Sequence, residues 1–294
     1  MYESFRIIDD FIKDVFGFAL LSKSKDPRIK ATGIRELSDA HDTMMAILRQ
    51  RRTPLSHEFI RDIYPMLEVS LHWEQVKKQG KLSTDFLEQS TARMRQFENY
   101  YGSIFELDMA CRCLLSGWGI QFIEDCTKKG EKQIDFVFLQ KAKTIGVECL
   151  SKRATAIYSP DNLTIEQIND DLNDHANKFK SEHIDKNSIT LDERVIVVDI
   201  TTSAYQPPTH LLAELTNTRI NENLDRVVFT WREDIVEGQD HDLVVKYQSV
   251  GTRDHYRYFT ITYIARFHGA AFFVGRHTEP EPKVTSPSGL IGSP

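Results

Sequence analysis

Residues 132–152 read KQIDFVFLQKAKTIGVECLSK, two apolar runs joined by a polar turn. A turn over 140–143 makes them a hairpin in which Phe138 meets Ile145, Phe136 meets Val147 and Ile134 meets Cys149. Side chains alternate along a strand, so those six share one face, and it is apolar throughout. A one-residue slip would scatter that face, which fixes the register by the core it must line. The other face pairs Leu139 with Thr144, Val137 with Gly146, and Asp135 with Glu148.

Directly opposed residues carry Cβ atoms about 4.5–5.5 Å apart, and two carboxylates so placed repel each other. A divalent cation would compensate, because Mg²⁺ prefers carboxylate oxygens and keeps its other positions for water and substrate phosphate. Gly146, one pair away, is expected to leave room for a ligand. The alternative is a solvated face on which water screens both acids. Removing Asp135 should relieve the repulsion and leave the metal-free fold as stable as before, or more so.

The rest of the chain sets bounds on this reading. With 294 residues, 40% hydrophobic and 27% charged, it suits one large or two smaller globular domains. No apolar run reaches the roughly 18 residues of a membrane span, and the acid-dotted N-terminus is unlike a secretory signal. Cysteines at 111, 113, 126 and 149 form no C-x-x-C pair. That argues against a zinc site or a disulfide framework and fits a reducing cytoplasm. Net charge is −6: residues 1–103 carry 16 Lys+Arg against 15 Asp+Glu, the remainder 21 against 28. That balance argues against a general polyanion binder, and any nucleic-acid contact must come from a local patch.

Residues 1–100 read as helices, suited to packing, dimerisation or target selection. Thr53-Pro54 looks like an N-cap followed by proline at the first helical position, Pro65 should kink or break the segment that follows, and Ser83-Thr84-Asp85 marks another start. RQRR at 49–52 is a short basic cluster. From Ile104 the pattern alternates. A helix ends at Gly117, and GIQFIED and the hairpin strands follow it. Next come the long helix LTIEQINDDLNDHANKFK, the buried strand RVIVVDI, the helix THLLAELTNTRI and the strand DRVVFTW. YRYFTITYIARF and AAFFVG close the order as strands, giving an α/β domain with a mixed sheet over 101–277. The tail 278–294 is Pro/Ser-rich and reads as disordered.

Taken together, Glu106 on a helix, Asp135 in QIDFVF and Glu148 with a following lysine in VECLSK resemble the PD-(D/E)XK nuclease superfamily. The resemblance covers about 100–232. It implies a restriction-endonuclease-like fold: a mixed sheet flanked by helices, here preceded by an all-α N-terminal region. It also implies a Mg²⁺-dependent endonuclease or phosphodiesterase, with Mn²⁺ able to substitute and DNA favoured over RNA. Asp135 and Glu148 would hold the metal, and Glu106 would complete its shell. Two positions depart from the pattern. Ile134 replaces a proline that does no chemistry. Leu150 stands where the motif has its lysine, and Lys152, two residues on along the same face, would take that role. Lys178 on the following helix is a second candidate. The rival reading is a catalytically degenerate module that binds nucleic acid or protein. A homodimer through the N-terminal helices and the absence of any membrane partner complete the expectations. His175 and His210 show no metal-ligand spacing, Cys111 and Cys113 read as packed, and Asp199 reads as a cap for the TTSAY turn.

Overall fold

The computed structural model describes residues 2–15, 57–94, 100–122, 133–140, 143–152, 162–180, 189–202, 205–237, 240–251, 261–268 and 271–278. The basic cluster at 49–52, Thr53-Pro54 and the tail from 279 lie outside the described residues. In chain order the elements begin with four helices, α1 (Tyr2–Val15), α2 (His57–Lys78), α3 (Thr84–Met94) and α4 (Tyr100–Leu115). The strands β1 (Gly119–Phe122), β2 (Phe136–Gln140) and β3 (Lys143–Ser151) follow, then α5 (Ile165–Ala176), β4 (Glu193–Asp199) and the short α6 (Thr209–Leu212). Four strands close the order, β5 (Arg226–Glu237), β6 (Asp240–Gly251), β7 (Ile261–His268) and β8 (Ala271–Thr278).

The eight strands lie side by side in chain order. Strands β3, β4 and β5 are parallel, and every other neighbouring pair is antiparallel. The chain is thus an α/β fold with a mixed sheet flanked by helices. Parallel neighbours need a crossover, and α5 supplies it between β3 and β4. The run VIVV of β4 is apolar without alternation because both of its faces are covered. On one face Phe105, Met109 and Cys113 of α4 pack on Phe136, Phe138, Val147 and Val195. On the other, Ile168, Leu172 and Ala176 of α5 pack on Val137, Ile196, Val198 and Phe229.

Helix α4 is apolar on a second side as well. There Leu107, Ala110 and Cys111 join Ile8 and Phe11 of α1 and Leu67 and Trp73 of α2 in a further cluster. A helix buried on two sides carries apolar residues round most of its circumference, and in IFELDMACRCLL only Glu106, Asp108 and Arg112 interrupt them. Local signals hold where they are described. Ser83 Oγ accepts from Phe86 N–H at 3.1 Å, and Gly117 ends α4 with φ at +82°. Thr164 and Gln167 form a capping box at the start of α5.

Three expectations are corrected. Of the kink or break expected at Pro65, the break does not occur, since helix α2 continues through it; the lost hydrogen bond is offset by the buried Met66, Leu67, Val69, Leu71, Trp73 and Val76 that follow it. The expected helix from Thr209 is one turn, Thr209–Leu212, followed by a 3₁₀ turn at Leu215–Asn217. Strand β6 was not expected. It pairs along its whole length with β5, from Arg226 opposite Gly251 to Glu237 opposite Asp240. Lys246, Gln248 and Ser249 are exposed, so its apolar run is too broken to read as a strand on its own.

Candidate functional site

The hairpin register is the expected one, Phe136 opposite Val147 through Gln140 opposite Lys143. The ladder stops there. Asp135 stands at a bend just before β2, and Ile134 crosses to the cluster on the α5 side instead of facing α4 with Cys149. Had β2 continued, the carbonyl of Ile134 would face the Cys149 N–H. Asp135 Oδ2 takes that place and accepts from Cys149 N–H at 2.6 Å. Buried backbone donors are rarely left unpaired, and here a carboxylate finishes the strand.

Gly146 does not open the site. A Cβ there would lie 2.5 Å from Leu191 Cδ1, 3.1 Å from Ile134 Cδ1 and 3.2 Å from Phe179 Cε1. The glycine exists to let these side chains close over the sheet. Gly146→Ala is expected to cost about 1–2 kcal/mol of stability by overpacking, measured by urea unfolding.

The two acids are not on a solvated face: Asp135 is 3% exposed and Glu148 1%. Glu148 points from β3 toward α5. The row Ile168, Leu172 and Ala176 seats that helix, and the 3₁₀ turn Asn177–Phe179 brings Lys178 beside His175. Glu148 Oε1 accepts from Lys178 Nζ at 2.5 Å and lies 2.6 Å from His175 Nδ1. Glu148 Oε2 is buried with no hydrogen-bond partner. Burial, and then the neighbouring Asp135 charge, push the Glu148 carboxyl above the ordinary 4.5, while His175 and Lys178 pull it part of the way back.

A raised folded-state pKa gives a stability contribution that is complete below the ordinary value and lost as pH rises through the folded one. In chelator, the melting temperature of Glu148→Gln relative to wild type is therefore expected to rise as pH increases from 4.5. A pH-independent difference between the two would contradict the buried pair. The Asp135→Ala expectation is also revised, since losing the acceptor for the Cys149 N–H costs about 1–3 kcal/mol. Asp135→Asn removes the charge and keeps an acceptor.

Lys152 is placed elsewhere than expected. Its ammonium pairs with Asp171 of α5, and the ammonium on Glu148 is that of Lys178. Leu150 packs against the α5-side cluster, so a lysine reaching back across it would have to lie over apolar surface. Glu106 is half-buried on α4, the helix that covers the face opposite to the one Glu148 points from. The structure thus brings together Asp135, Glu148, His175 and Lys178. His175 was passed over in the sequence. Its signal was the one-turn spacing to Lys178 on the helix that follows the glutamate-bearing strand. His210 lies 3.2 Å from the Leu163 carbonyl through Nε2, a structural contact. Asp199 caps its own turn, accepting from Thr201 N–H at 3.1 Å and Thr201 Oγ at 2.5 Å. Cys111 and Cys113 are packed on opposite sides of α4, and burial pushes both thiols up.

A second polar cluster lies on the α4 side. Glu68 and His72 of α2 and Asp108 of α4 bring ligand-type atoms within 4.8 Å of one another, all buried. His72 Nδ1 lies 2.6 Å from Asp108 Oδ1. Arg112 pairs with Glu68 and Asp108, and Arg232 of β5 pairs with Glu68 at 2.9 Å and Asp108 at 3.5 Å. Arg232 Nη1 also lies 3.0 Å from Asp199 Oδ1, without hydrogen-bond alignment. Burial pushes the Asp108 carboxyl up, but Arg112, His72 and Arg232 outweigh it and hold the group well below the usual carboxylate range. Two guanidinium groups already occupy these carboxylates, so a divalent cation would have to displace them. The arrangement ties α2 and α4 to the sheet.

Among the described residues, no helix is long and apolar enough to cross a membrane. Comparison of the chain with family models, curated proteins and solved structures gives no significant match.

Proposed function

We propose that this chain is a metal-dependent phosphodiesterase acting on nucleic acid, DNA in preference to RNA, in which Asp135 and Glu148 hold Mg²⁺ or Mn²⁺. The observation that carries the reading is the divided carboxylate of Glu148. One oxygen is saturated by His175 and Lys178, the other is buried and unpartnered, and the charge of Asp135 acts on the same group. An unpaired buried anionic oxygen is costly, and an all-oxygen donor set of this kind suits a hard divalent cation. The order α4, β1, β2, β3, α5, β4 supports the restriction-endonuclease-like assignment, with Asp135 entering the first hairpin strand and Glu148 on the second.

When bound, the cation would polarise the scissile phosphate and lower the pKa of the attacking water. Lys178, about one-fifth exposed, would face the phosphate and stabilise the charge that grows on it. Asp135 and Glu148 fix the position of the reacting phosphate relative to that ammonium. The helices before residue 100 would select the target or join two copies of the chain.

A second reading, a nuclease-like module that binds without cutting, is favoured by Leu150 at the motif lysine position and by the net charge of −6. One assay separates the two: supercoiled, linear and single-stranded substrates incubated with the protein, with and without Mg²⁺ or Mn²⁺. Metal-dependent cleavage that Asp135→Asn abolishes is the expected result. Binding without cleavage under every condition selects the second reading.

A further inference from the structure

We propose that His175 is a positioning residue of this site, holding the Glu148 carboxylate so that Oε2 is the oxygen presented to a divalent cation. The inference rests on the metal-site reading of Asp135 and Glu148 and adds to it a residue that the motif does not contain. An ionised carboxylate only accepts, so the 2.6 Å contact is an Nδ1–H donation to Oε1. Lys178 Nζ meets the same oxygen at 2.5 Å, so both donors converge on Oε1 and neither on Oε2.

The two donors differ in what they fix. An ammonium on a flexible four-carbon stem is a point charge that follows the carboxylate wherever it turns. An imidazole has one N–H in a rigid ring, and its contact sets the rotation of the acid. His175 sits next to the buried Ala176 and one turn before the buried Phe179, which fix the backbone that carries the ring. The side chain is 28% exposed, so the core does not need it for packing. Its removal would release the carboxylate to rotate and offer either oxygen, or both, to a cation. Partners one shell out from a metal commonly change its affinity by about 10–100-fold.

The test is Mn²⁺ binding to the full-length, chelator-stripped protein, followed by calorimetry with no substrate present. Wild type, His175→Ala, His175→Asn, His175→Gln and Asp135→Asn are compared, with melting temperatures recorded for each. Asparagine places an N–H close to the Nδ1 position, whereas glutamine places it one bond further out. The expected result is affinity weakened about tenfold or more in His175→Ala and His175→Gln, and largely retained in His175→Asn, at near-equal melting temperatures. Should His175→Ala unfold, the Asn–Gln pair carries the comparison. Wild-type binding with equal affinity in all three His175 variants overturns the positioning role and leaves the metal site standing. Wild-type binding no stronger than that of Asp135→Asn overturns the metal site itself, and the role of His175 with it.

Discussion

Lys178→Ala is expected to lower the cleavage rate by about 10²–10³-fold, the usual effect of removing one preorganised donor from a developing charge. Lys152→Ala is expected to change it less than about threefold, because its ammonium is paired with Asp171 and the one on Glu148 is that of Lys178. Single-turnover rates at saturating Mg²⁺ give the comparison directly. Lysine is not a metal ligand, so cation affinity in Lys178→Ala should shift far less than the rate. Loss of rate in Lys152→Ala with Lys178→Ala unaffected would return the role to the strand end. If the wild type has no activity and Leu150→Lys creates one, the degenerate-module reading is correct.

Arg232→Ala is expected to cost about 3–5 kcal/mol, a large part of the roughly 5–15 kcal/mol that holds a domain together. Arg232 is 3% exposed and faces Glu68, Asp108 and Asp199, and those three carboxylates raise its pKa against the opposing effect of burial. Without it, three buried acids share Arg112 and His72. A double variant with Glu68→Ala should recover part of the loss, since it removes one of the stranded charges. Urea unfolding followed by circular dichroism and by tryptophan fluorescence tests both statements. The fluorescence sums Trp73 of α2, Trp118 and Trp231 of β5, and the network that joins α2 to β5 should make it melt together with the circular dichroism signal. A loss below about 1 kcal/mol would show the network to be incidental.

How far the sequence reveals this molecule depends on distance along the chain. The hairpin register was legible because an apolar face tolerates no slip. The end of the ladder was not, because nothing in QIDFVF says where β2 stops, and that end decides whether Asp135 opposes Glu148 or caps Cys149 N–H. The burial of the acids escaped for a related reason. Gly146 suggested open space, yet it is small so that Leu191, Ile134 and Phe179 can close in. The sequence favours Lys152 over Lys178 because it lies on the same strand face as Glu148, yet the contact with Glu148 is made by Lys178, which the 3₁₀ turn after α5 brings beside His175. The ion network was invisible: Glu68 and Arg232 lie 164 residues apart, and each alone reads as a surface charge.

The most direct test is a crystal of the full chain soaked in Mn²⁺, with anomalous scattering used to locate the ion. The expected result is a peak at coordination distance, about 2.1 Å, from Glu148 Oε2 and an Asp135 oxygen, with His175 and Lys178 still on Oε1. A peak among Glu68, His72 and Asp108 instead, or none in the protein at saturating Mn²⁺, would contradict it.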